Sequence, residues 1–271
     1  MKLKALFIIF NIVLFSLLFT IFFLPLFYAN GTFMREFWYS NWFFGPLFLI
    51  MLLVVDTIFF KNRKLIEAIE TEDWTALAMY LEDKILDKKE FKFKNVSLLA
   101  DSLLLLGDFS SMTKLELTLK NNKIEYLNKL APKFAAAKML SENYTDLAEF
   151  SSRFHSQENA EWMLFYHALG LHMTKDLYKS AEAFKNLKDK AENYLVKVLS
   201  AYFLLSILKN YSKMTDAEIL ETKQAVIALI EKHYTPQTWK KYTESQKQEL
   251  HVMVLKKLIS DSSAWLWNKN E

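Results

Sequence analysis

The chain of 271 residues has no cysteine. Disulfides, thiol chemistry and cysteine-based zinc sites are therefore excluded. Four glycines and four prolines are too few for a β-sandwich, a barrel or a glycine-rich phosphate loop. Arginine occurs only at 35, 63 and 153, and the preference for lysine points to an AT-rich, bacterial genome. Charge is missing where it would most be expected in a solution protein. Residues 1–60 carry only Lys2, Lys4, Arg35, Glu36 and Asp56. Without those five, the remainder holds 31 basic and 29 acidic residues. That balance leaves no basic footprint for nucleic acid.

Two apolar runs fill the charge-poor region. The first, 5–28, is uncharged and interrupted only by Asn11, Ser16, Thr20 and Pro25. As a helix it would reach roughly 36 Å, beyond the ~30 Å of bilayer hydrocarbon. Phe27 and Tyr28 are unlike the small residues of a signal-peptide cut, which favours an uncleaved span. The second, 42–60, meets only Gly45-Pro46, and a proline is tolerated in a helix's first turn. Phe37, Trp38, Tyr39 and Trp42 suit a headgroup-level loop between the spans.

Lys2 and Lys4 precede the first span, and Lys61, Arg63 and Lys64 follow the second. By the positive-inside rule both ends are cytoplasmic, and the expected location is a bacterial inner membrane. Asp56 lies within about 7 Å of helix rise from Lys61. Snorkelling or pairing with Lys4 explains it better than an ion relay, which needs more than one carboxylate. Nothing breaks helical periodicity between Leu47 and Thr71, so the second span is expected to continue as a rod.

Beyond Lys61 apolar residues recur at helical spacing, as in Trp74, Leu77, Ala78, Leu81 and Ile85. The region, 61–232 with C-terminal helices in 233–271, is expected to be all-α, with 242–260 the clearest helix of its last part. Short turns repeat: Asp73-Trp74, Asp108-Phe109, Asn143-Tyr144, Asp176 before Tyr178, and Asn210-Tyr211. Their aromatics lie 35, 35, 34 and 33 residues apart. This spacing resembles the tetratricopeptide repeat, a pair of helices every 34 residues. Val96, Leu99, Ala100 and Leu103, followed by Gly107-Asp108-Phe109, fall on the large, leucine, small, aromatic and turn positions of that repeat. Ala135 and Ala181 supply small residues in other copies. Leu65, Leu169 and Tyr202 stand where the first helix of the family has a small residue, and the closing proline is missing.

The resemblance implies an α-solenoid of about five helix pairs whose first helices line a concave groove. Repeat phase then assigns Asp101, Leu104, Met139, Tyr166, Met173 and Phe203 to that groove as partner-binding candidates. Either a partner's apolar helix fills it, or the C-terminal helices do. Trp265 and Trp267 suit core, membrane or partner contacts equally.

No catalytic, cofactor or metal site is expected. The histidines 155, 167, 172, 233 and 251 make no H-E-x-x-H pair, no serine sits in a G-x-S-x-G elbow, and there is no P-loop. His167 and His172, five apart, do not share a helix face. His172 falls at a buried aromatic position of the repeat. The expected function is a non-enzymatic, membrane-anchored scaffold that recruits a protein partner, such as a subunit of a motility or secretion machine. An oligomeric transporter or channel subunit is the alternative.

Overall fold

The computed structural model describes residues 3–28, 35–36, 39–154 and 159–267, with the backbone alone at 3, 4, 6 and 22–28. Every regular element among them is helical. The expected loop aromatics Phe37 and Trp38, the Lys4 side chain and His155 lie outside the described residues. The chain divides into two compact units, Met1–Tyr80 and Leu81–Glu271.

In the first unit, α1 (Leu3–Tyr28) and α2 (Phe44–Lys61) are the apolar helices. The Phe7 ring stacks on Phe59 at 3.7 Å, and the Phe60 ring meets it edge-on. Three polar side chains within the two helices are satisfied locally, whereas a buried carboxylate oxygen of Asp56 has no hydrogen-bond partner among the described residues. Asn11, Thr20 and Thr57 each donate to the carbonyl four residues earlier, the form in which such side chains fit an apolar helix. The helical stretch Tyr39–Lys61 is long and apolar enough to cross a membrane. The expected rod is interrupted at Asn62, whose φ of −104° and ψ of 9° leave the helical region while its side-chain amide donates to the Ile58 carbonyl. Helix α3 (Arg63–Glu70) restarts at once, and α4 (Trp74–Glu82) follows it.

In the second unit α4 ends in a π turn, Asp83–Asp87. The helices that follow are α5 (Phe93–Leu106), α6 (Phe109–Asn122), α7 (Ile124–Leu140), α8 (Tyr144–Ser151), α9 (Ala160–Met173), α10 (Leu177–Lys190) and α11 (Tyr194–Tyr202). A π turn, Phe203–Ile207, extends α11. Then come α12 (Asp216–Glu231), α13 (Pro236–Gln246), the single turn α14 (Leu250–Met253) and α15 (Lys256–Trp267). Successive helices pack pairwise, and α5, α7, α9 and α11 also pack in series. The result is a solenoid-like arrangement with those four helices as one layer and α6, α8 and α10 against it.

The recurring turns have a shared backbone. Glu72, Gly107, Glu142 and Lys175 adopt positive φ, between 54° and 69°. In each turn the next residue returns its N–H to the carbonyl five back: Asp73 to Ala68, Asp108 to Leu103, Asn143 to Lys138 and Asp176 to Leu171. This is the left-handed helix stop that closes orphan carbonyls. That same residue caps the following helix. Asp73, Asp108 and Asn143 accept from the backbone N–H three residues on, satisfying an orphan donor. Asp176 instead takes the Lys179 ammonium at 2.7 Å.

Asn210-Tyr211 departs from the pattern. It lies in a short 3-10 turn, Lys209–Tyr211, and α12 starts later with a capping box of Thr215 and Glu218. The expected helix over 242–260 is also divided. Glu249 is extended at φ −77° and ψ 123°, separating α13 from α14.

Two groups bind the layers together. Phe184 stacks on Phe203 at 4.6 Å, with Phe165 edge-on to both, so α9, α10 and the α11 extension share an aromatic core. The buried Lys138 of α7 lies 2.7 Å from both Glu116 of α6 and Asp146 of α8, and its charge sits over the Phe150 ring. Close packing needs a small residue at Gly170. A Cβ there would stand 2.8 Å from the Ala148 backbone nitrogen.

Candidate functional site

The groove expected from repeat phase is the face of α5, α7, α9 and α11. Its six residues do not form one open surface. Tyr166 is fully buried, and its hydroxyl donates to the His251 carbonyl at 2.7 Å. Phe203 is in the aromatic core and Leu104 is buried. Asp101 pairs with Lys133 at 2.6 Å. Burial pushes its carboxyl above the usual range, Lys133 opposes that, and Glu249 adds to it. Met139 is half-buried, and only Met173 is well exposed.

The C-terminal helices lie on this face. α14 packs on α7 and α15 on α11. The His251 ring meets Trp162 edge-on at 5.3 Å, and Trp265 meets Tyr202 at 5.9 Å. Tyr242 donates to Asn193, which caps α11. Trp239 is buried with its indole N–H on Ser263, joining α13 to α15. Of the two alternatives for the groove, the packing is that of an internal occupant. Trp265 packs on Tyr202, and the Lys223 ammonium lies over the Trp265 ring, 5.5 Å from its centre.

Desolvation holds His251 neutral, and Lys133 adds to this, lowering its pKa to about 4. His172 is also lowered, first by burial and then by Lys175, and packs edge-on against Phe203. Its repeat position called for a buried ring, whereas His172 is half-buried. Among the described residues no group of three or more His, Asp or Glu could hold a metal ion.

A different surface was not foreseen. Leu106, Leu140, Met173 and Ile207 are the last residues of α5, α7, α9 and the α11 extension, 34, 33 and 34 residues apart. Each leaves about two-fifths of its surface bare: 42%, 41%, 38% and 41%. The four helices pack in series, and each of these residues stands at a C-terminal end. Their signal in the sequence was a large apolar residue shortly before each turn, readable only once the helix stops were placed.

A family model described as "Uncharacterised Treponema protein" matches residues 111–268. A protein of Treponema pallidum (strain Nichols), described as "Uncharacterized protein", is 33% identical over 283 residues, covering 98% of this chain and 88% of its own length. The likeness therefore runs through the apolar N-terminal region as well as the helical stack. No solved structure matches. The chain belongs to the family described as Uncharacterised Treponema protein.

Proposed function

We propose that this chain is a non-enzymatic scaffold of degenerate tetratricopeptide-like helix pairs, held by two N-terminal spans at a bacterial inner membrane. Its helical region faces the cytoplasm and docks a protein partner there. The apolar helices α1 and α2 support the anchor, with Tyr39–Lys61 long enough to span. Tethering raises the local concentration of whatever the stack binds.

The observation that carries the reading is the exposed row Leu106, Leu140, Met173 and Ile207. Packed helices lie 8–10 Å apart, so four ends in series cover roughly 24–30 Å. A partner helix of about 16–20 residues matches that length. Of the groove candidates, Met173 belongs to this row and Met139 directly precedes Leu140.

Co-purification of the full chain from mild detergent tests it. Leu140→Glu with Met173→Glu should remove a stoichiometric protein partner while helicity and melting temperature stay unchanged. Retention of the same partner by that variant would reject the row as its docking site. Topology is tested separately. A reporter after Glu271 should be cytoplasmic and one near Gly31 external, and the reverse would reject the compartment.

A further inference from the structure

Between the stack and its C-terminal helices lies a cavity of about 350 Å³, which Ser97, Lys129, Lys133, Trp162, Glu249 and His251 help to line. We propose that it binds a small zwitterion of amino-acid size. The site is built from four elements: α5 supplies Ser97, α7 the two lysines, α9 Trp162, and the C-terminal segment Glu249 and His251.

Lys133 and His251 are only 8% and 7% exposed, yet both are polar. Lys133 donates to Ser97 at 2.9 Å and pairs with Asp101, using two of the three donors an ammonium carries. His251 Nε2 is buried and has no hydrogen-bond partner among the described residues. Such an unmet group is costly in a plain packing seam, and it lies within the wall that His251 gives the cavity, not on the wall's surface.

Charge selects the class. Asp101 balances Lys133, leaving the exposed Lys129 and the exposed Glu249 as the charges that line the cavity from facing elements. A simple anion would meet Glu249, and a simple cation would meet Lys129. A molecule with one carboxylate and one ammonium engages both. Trp162 and Val252 give its remainder an apolar wall. The volume is at the lower end of small-molecule sites.

The test uses the full chain in detergent, titrated with the twenty standard amino acids, and with propionate and propylamine as single-charge controls. At least one amino acid should raise the melting temperature and slow amide exchange at 249–252, since the ligand joins both walls. Lys129→Gln and Glu249→Gln change exposed side chains, so the ligand-free melting temperature should hold while affinity falls about tenfold, the effect of losing one charged contact. No response to any amino acid at millimolar concentration would mean a cavity that holds only water. An equal response to propionate, or binding untouched by both variants, would also overturn the proposal.

Discussion

The hydroxyl of Tyr166 and the carbonyl of His251 form a buried 2.7 Å hydrogen bond across 85 residues of chain. It fastens the C-terminal segment to the centre of the stack. Tyr166→Phe keeps the ring packing but strands a buried carbonyl, at a cost of about 1–2 kcal/mol. Denaturant unfolding should show that loss with an unchanged helical spectrum. An unaffected midpoint would mean that water replaces the hydroxyl.

The same seam responds to acid. His251 is depressed from 6.5 to about 4 in the folded chain. Between those values the unfolded chain binds the extra proton, so stability falls as pH drops from about 6.5 towards 4, by up to ~3 kcal/mol. Asp101 acts in the opposite direction. Its raised pKa means that acid relieves a buried carboxylate. His251→Gln should flatten the loss below pH 6.5, whereas Asp101→Asn should steepen it. Chemical denaturation at several pH values measures both slopes.

Gly170→Ala would drive a methyl into the Ala148 backbone, with contacts of 2.8–2.9 Å. Backbone cannot step aside as a side chain can, so a loss of about 1–3 kcal/mol is expected. A neutral result in thermal unfolding would show that α8 and α9 separate freely.

The helix stops make a prediction of opposite sign. Glu142 and Lys175 hold φ of 59° and 69°, a region costly for any residue with a Cβ. Glu142→Gly and Lys175→Gly should each stabilise by about 0.5–1 kcal/mol. Gly107→Ala, at φ 68°, should destabilise by a similar amount. Equilibrium unfolding midpoints of the three variants decide it.

The turns were legible in the sequence because each concentrates its chemistry in three or four adjacent residues. A capping Asp or Asn and a following aromatic stand beside the stop, so spacing alone located Asp73, Asp108, Asn143 and Asp176. Asn210 carries the same local signal, but the chain there forms a 3-10 turn, and Thr215 supplies the cap instead. The small residue of the third first-layer helix lies at Gly170, one place beyond the position that repeat phase gives to Leu169.

Long-range pairings left no such trace. Tyr166 looks like a groove aromatic until His251 is placed on it. Lys138 is one lysine within an alanine-rich run, and only the folded chain brings Glu116 and Asp146 to it. The breaks at Asn62 and Glu249 involve no glycine or proline, so periodicity runs through both.

The clasp formed by α14 and α15 also sets an order of events during synthesis. Ribosomes add about 5–20 residues per second, so the 85 residues from Tyr166 to His251 take roughly 4–17 s. Throughout that interval Trp162 and Tyr166 lack their cover, although the neighbouring helices have already been made. A nascent chain therefore shows an aromatic strip that the finished protein hides, and a chaperone that recognises such strips has its opportunity before the last turns of helix arrive.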